Sequence, residues 1–252
     1  LQKYAEAIPF LKAYKGERGR WNHTDFYQLG YAYYKQNDYQ KAINEFNKII
    51  EGSNAIAQNA YYHLAESYVN LDKKQEALNA FRNASEMEFN LNIKEDAWLN
   101  YAKLSYDIGN PYQSTPEVLM LFLDQYPKST FKIEIETLLI DSYISSNNFK
   151  EALELLENKS RTFHKEAYQK VTFYRGLELY NTANYIEAKK QFENSLSSSI
   201  DLIFKARATY WKAEAEYQLS NFKNAYDGFI DFKNMSLSAQ LDEFKNLDYN
   251  LA

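Results

Sequence analysis

The 252-residue chain has no cysteine, only seven glycines and only four prolines. Without cysteine there are no disulfides, no thiol chemistry and no thiolate zinc sites. So little glycine and proline excludes an all-β sandwich, which needs turn residues every ~8–12 positions, along with collagen-like and low-complexity linkers. No apolar run approaches the ~18–20 residues of a membrane-spanning helix, and mean hydropathy is -0.63. Basic excess is missing too. The formal charge of -5 argues against a nucleic-acid partner, because phosphate neutralisation needs a basic face. The one basic cluster, Lys12, Lys15, Arg18 and Arg20, surrounds a glycine-containing loop and reads as a solvated turn.

What is present is apolar surface: 45% of residues are hydrophobic and 17% aromatic, including 23 tyrosines. That is ample to drive folding, so global disorder is excluded. The residues also repeat. Tyr27-Gln28-Leu29-Gly30-Tyr31-Ala32 is followed by Asn37-Asp38-Tyr39-Gln40-Lys41-Ala42 and Phe46. The same order recurs at Ala65, Ala77 and Phe81, at Gly176, Ala188 and Phe192, and at Ala213, Ala225 and Phe229. A copy at Ile140, Ala152 and Leu156 lacks the small first residue, and one at Ala102 and Phe122 carries an insertion, Gly109-Asn110-Pro111-Tyr112. Gly30, Ala65, Ala102, Ile140, Gly176 and Ala213 lie 35, 37, 38, 36 and 37 residues apart. Within each unit, apolar residues three and four apart mark two amphipathic helices with an Asn- or Asp-containing break between them.

This pattern resembles the tetratricopeptide repeat family, whose ~34-residue unit is a helix–turn–helix. The resemblance implies an all-α fold, an α-α superhelical solenoid of about six repeats with a partial repeat at each end. Expected boundaries are a partial repeat over 1–16, repeats over about 23–52, 58–90, 95–127, 133–160, 169–199 and 206–235, and a partial repeat over 240–252, all in one domain. Small residues on the first helix (A) and on the second (B) should permit close approach, with the phenylalanines filling the space between. Pro9 should kink its helix or delay its start. Leu1 opens mid-pattern without Met, so targeting sequence is expected upstream or removed, and the chain reads as a segment of a longer array. Phe122 followed by Tyr126-Pro127-Lys128-Ser129 resembles bacterial envelope proteins with such repeats, of the BamD and Tol-Pal-coordinator type. That implies a periplasmic or cell-envelope location, the alternative being cytoplasmic.

Catalytic chemistry has no visible carrier. His23, His63 and His164 are too far apart in a stacked fold to share a metal, and His63 with Glu66 reads as a polar pair on one helix face. There is no phosphate loop, nucleophile elbow or zinc-protease motif. The triplets Asn22-His23-Thr24, Asn83-Ala84-Ser85, Asn158-Lys159-Ser160 and Asn234-Met235-Ser236 are glycosylation-like by chance. The expectation is therefore a non-enzyme without metal or cofactor.

Binding is expected on the concave side, which A helices line. A four-residue stripe runs along each A helix. Its first copy is Thr24, Tyr27, Tyr31 and Tyr34, and its second includes Tyr62 and Glu66. Later copies include Lys103 and Tyr106, then Asp141, then Phe173 and Tyr180, then Tyr210 and Tyr217. Aromatics at both ends and acids in the middle (Asp96, Glu134, Asp141) suit an extended or helical segment with apolar anchors and a Lys or Arg. The competing reading has these rings stacking on neighbouring A helices. The resulting expectation is a scaffold for a protein or peptide partner, with no nucleic acid and no membrane span. Self-association through uncapped terminal repeats is open to it. The alternative is a spacer or regulatory domain of a larger enzyme or transcription regulator.

Overall fold

The structure is a computed structural model, and it describes residues 3–157, 164–198 and 200–251. The ends of three expected segments (1–2, 158–160 and 252), residue 199 and the Asn158 triplet lie outside the described residues. Among the described residues fourteen α-helices follow in order: α1 (Tyr4–Ala13), α2 (His23–Lys35), α3 (Tyr39–Phe46), α4 (Ala55–Asn70), α5 (Lys74–Glu86), α6 (Leu91–Ile108) and α7 (Thr115–Gln125). Then come α8 (Lys132–Ser145), α9 (Phe149–Leu155), α10 (Lys165–Asn181), α11 (Tyr185–Ser198), α12 (Leu202–Gln218), α13 (Phe222–Lys233) and α14 (Leu247–Leu251). No strand occurs among the described residues; a single bridge, Glu17 to Arg20, closes the basic glycine turn. The fold is all-α.

Where one unbroken domain was expected, the chain groups into two compact units, Leu1–Leu138 and Leu139–Ala252, with the boundary inside α8. In the first unit each of α1 to α7 packs on its sequence neighbour, and α2, α4 and α6 also pack on one another in succession. In the second unit α9 to α14 do the same, with α10 against α12.

Small residues set the helix spacing. Gly30 on α2 lies under the ring of Phe46: a β-carbon there would stand 2.8 Å from that ring. Gly176 on α10 meets Phe192 in the same way, at 2.6 Å. Phe46 and Phe192 are both fully buried, so neither ring can swing aside without opening the core. Gly228 on α13 uses its missing side chain against Ala213.

The turn from A helix to B helix is also repeated. Asn37, Asp72, Asn147, Ala183 and Ser220 all have left-handed backbone, with φ between 56 and 61°. Across each, an amide bonds back to the last turn of helix A: Asp38 to Tyr33 O (3.0 Å), Lys73 to Tyr68 O (2.9 Å), Asn148 to Tyr143 O (2.8 Å), Asn184 to Leu179 O (2.9 Å) and Asn221 to Glu216 O (2.9 Å). This is the Schellman closure, which satisfies carbonyls that a helix end leaves open. Asparagine and aspartate tolerate that conformation better than other side chains. Ala183 and Ser220 have no such advantage.

Two buried glutamines hold the loops between repeats. Gln58 on α4 donates from Nε2 to the carbonyls of Ala84 (3.2 Å), Met87 (2.8 Å) and Asn90 (3.3 Å), while its Oε1 accepts the Asn90 amide (2.7 Å). Gln169 on α10, 111 residues later, donates to Asp201 O (2.9 Å) and accepts from the amides of Ile200 (3.0 Å) and Asp201 (2.8 Å).

Of the two effects expected of Pro9, the delayed start does not occur: Pro9 lies inside α1, which starts at Tyr4. The first bond of that helix, Ala7 N–H to Lys3 O at 3.0 Å, lies ahead of the proline, which can disturb only the turn around itself. Where a partial repeat was expected over 240–252, 3₁₀ turns at Ser238–Gln240 and Asp242–Asn246 precede the short α14. The insertion after α6 is sealed by Asn110, whose Nδ2 donates to Tyr101 Oη and Ser105 Oγ, both at 2.8 Å, and whose Oδ1 accepts from the Tyr112 amide at 2.9 Å.

Candidate functional site: the aromatic face of the A helices

In the first unit the stripe residues gather around one histidine. The ring of His63 on α4 lies 5.0 Å from Tyr31, 5.0 Å from Tyr34, 5.4 Å from Tyr62 and 6.2 Å from Tyr27, centroid to centroid. Tyr31 stacks between Tyr27 (5.9 Å) and Tyr34 (6.0 Å) along α2. All four tyrosines and His63 are half-buried. Glu66 anchors the group: its Oε2 lies 2.7 Å from His63 Nδ1. Burial, seconded by neighbouring charge, pushes the phenols of Tyr27, Tyr34 and Tyr62 well above the usual tyrosine range, so they stay protonated donors. Lys35 completes the face, its Nζ 5.1 Å from the centre of the Tyr31 ring and 5.0 Å from that of Tyr34. Such cation–ring contacts contribute about 0.5–1 kcal/mol at exposed sites.

The acidic middle is engaged by the protein itself. Asp96 accepts the hydroxyl of Tyr62. Glu134 pairs with Lys103 at 2.7 Å, and Lys103 also lies 5.1 Å from the Phe131 ring centre. Asp141, in the second unit, remains exposed beside Lys165 and Lys170 at a shallow cleft of about 330 Å³.

Phe173 and Tyr210, expected on the groove face, are core residues, 0% and 3% exposed. Phe173 lies against Phe192 and Phe204, with the Arg207 guanidinium 4.7 Å from its ring centre. Both occupy the second position of their stripe, as does buried Leu99. Phe173 is covered from α11 and α12, and Tyr210 by Phe229 and Phe232 of α13, whereas second-position Tyr27 and Tyr62 are half-buried and Thr137 is exposed. Fourth-position Tyr106 and Tyr217 are 39% and 51% exposed.

In the second unit the equivalent acid is Glu214 on α12. Its Oε1 accepts the Tyr210 hydroxyl (2.8 Å) and the Asn250 amide, and its Oε2 accepts the Tyr180 hydroxyl at 3.3 Å. Burial first, then the charge of Glu214, pushes the Tyr180 phenol up to about 12. Glu214, Tyr217, Gln218, Phe229, Tyr249 and Asn250 line a cleft of about 490 Å³. His63 as a hub, Lys35 as a resident cation, and the contribution of Tyr249 and Asn250 are not readable from the stripe pattern. Only the three-residue spacing of His63 and Glu66 signalled their pairing. Among the described residues no group of three His, Asp or Glu side chains could hold a metal ion, and no helix is long and apolar enough to cross a membrane.

Helix pairs recurring every 35–38 residues, five of the six closed by a left-handed turn, with glycines under buried phenylalanines at Gly30 and Gly176, define the repeat type. This is the fold of tetratricopeptide-type repeats. A family model described as anaphase-promoting complex, cyclosome, subunit 3 matches residues 1–84, one third of the chain. No curated protein sequence matches the chain. Among solved structures, one of Naa15/Naa10 bound to HypK-THB is 13% identical with a TM-score of 0.64, covering 99% of this chain and 36% of that one. The TPR2AB-domain:pHSP90 complex of yeast Sti1 is 14% identical with a TM-score of 0.49 and coverages of 99% and 92%. A tetratricopeptide repeat protein of Parabacteroides merdae is 16% identical with a TM-score of 0.47 and coverages of 98% and 91%.

Proposed function

We propose that the chain is a non-catalytic scaffold whose first unit binds a segment of another protein on the A-helix face. The observation that carries this reading is the half-buried array Tyr27, Tyr31, Tyr34 and Tyr62 around His63, with Lys35 resting on two of its ring faces. Pure stiffening would need the rings enclosed. Here the faces are wet enough to hold a solvated ammonium, and an incoming apolar or cationic side chain meets the same surface. Tyrosine supplies such area at low rotamer cost, which is why it dominates binding hot spots. The experiment is partner capture by the protein and by a Tyr31→Ala, Tyr62→Ala double variant, with circular dichroism as the fold control. Capture lost with helicity retained supports the reading, and capture unchanged removes it. A cell-envelope location belongs to the same proposal. It rests on Tyr126-Pro127-Lys128-Ser129, and fractionation of cells expressing the tagged full-length gene product tests it.

A further inference from the structure

We infer that the cleft around Glu214 is a pocket for a lysine side chain of a partner protein, an inference that rests on the scaffold reading above and gives its second unit a chemical specificity. The floor is a carboxylate whose partners are all neutral: two phenols and one primary amide. The basic groups of α10 to α12 that form ion pairs form them elsewhere, Arg175 with Glu178, Lys189 with Glu216, Arg207 with Glu243 and Lys212 with Glu193. A carboxylate has roughly four lone-pair sites. Tyr210 and Asn250 occupy both on Oε1, and Tyr180 takes one on Oε2 at a long 3.3 Å. One edge of one oxygen is left. That fits a compact ammonium and not the two-pronged guanidinium of arginine, which needs both oxygens.

The walls agree with the floor. Tyr217 and Tyr249, 51% and 87% exposed, stand at the cleft and offer ring faces to the methylenes and charge of a lysine. The first unit shows how a lysine rests on tyrosines of this face. Tyr34 and Glu66 hold the stripe positions of Tyr180 and Glu214, and there Lys35, the residue after Tyr34, lays its Nζ over the tyrosine rings. The residue after Tyr180 is Asn181. The second unit thus keeps the acid and one of the two rings, with Leu177 in place of Tyr31, adds Tyr217 and Tyr249 at the cleft, and has no lysine of its own at that place.

The test uses the whole chain and three small probes, the N-acetyl methylamides of lysine, norleucine and arginine, titrated while backbone amide resonances are followed. The lysine probe should saturate shifts at Glu214, Tyr217 and Tyr249, with norleucine at least tenfold weaker and arginine weaker than lysine. Tyr249→Ala, at an exposed site that cannot unfold the protein, should weaken lysine about threefold, and Glu214→Gln should abolish it. Equal response to norleucine, tighter arginine, or no localised shift overturns the inference. Partner capture through Tyr31 and Tyr62 is read separately, so its loss or survival leaves this outcome interpretable.

Discussion

Gln169 and Asp201 grip each other reciprocally: the glutamine amide accepts the Asp201 backbone N–H at 2.8 Å and donates to the Asp201 carbonyl at 2.9 Å. Gln169 is fully buried and also takes the Ile200 amide. Gln169→Leu keeps the volume but leaves these backbone groups unpaired, each at about 1–3 kcal/mol where water cannot reach. We expect a net loss of about 2–3 kcal/mol in urea unfolding, the exposed side of the loop recovering the rest through water. Faster hydrogen exchange at Asp201 should accompany it. An unchanged melt would mean the tie is ornamental.

Gly176 tolerates nothing larger. Its missing β-carbon is the space the fully buried Phe192 ring occupies. Gly176→Val should cost about 1–3 kcal/mol through overpacking. Exchange protection should fall first in α10 to α12, and protection lost uniformly along the chain would contradict local coupling between repeats.

Ala183 and Ser220 sit at left-handed turns that favour glycine. Replacing either with glycine should stabilise by about 0.5–1 kcal/mol, the relief of side-chain strain exceeding the added chain entropy. The same change at Asn37, whose side chain suits the turn and accepts the Tyr39 hydroxyl at 2.9 Å, should give no gain. Thermal melts of the three variants decide it.

Acid and alkali should each loosen the second unit through different groups. Burial of Glu216 works against its charge, yet hydrogen bonds from Lys189 and Asn221 outweigh it and hold the carboxyl below the usual range. A depressed folded value means stability present above about pH 4.3, the unfolded value, and lost as pH falls through the folded one. Glu216→Gln should therefore flatten the acid limb of a stability profile. Tyr180 is raised to about 12, so it favours the fold below about pH 10 and that contribution is lost as pH rises through the folded value. Phenolate absorbance at alkaline pH should lag behind that of free tyrosine until helicity is lost. Ionisation of every tyrosine near pH 10 with the helices intact would refute this.

The helix pairs were legible because their cause is local. Small residues, aromatics and breaks recur at one spacing, and each lies within one or two helices of its contact. The site was legible only in part. A stripe names a helix face but not how deep each of its positions lies: phenylalanines of neighbouring helices cover Phe173 and Tyr210, which is how both became core. Asp96 and Glu134 read as free acids because their partners, Tyr62 and Lys103, lie 34 and 31 residues away on the adjoining A helix. Gln58 and Gln169 gave no signal, since a glutamine on a helix ordinarily faces solvent.

Asn110 has a wider meaning for how such a chain can change length. Extra residues between α6 and α7 cost little here because one side chain recloses the gap with bonds to Tyr101, Ser105 and Tyr112. Elsewhere Gln58 and Gln169 perform one task 111 residues apart, so additions that are not whole modules would throw every later tie out of phase. Growth of this protein is thus quantised at its loops and forgiving only where a local asparagine acts as the patch.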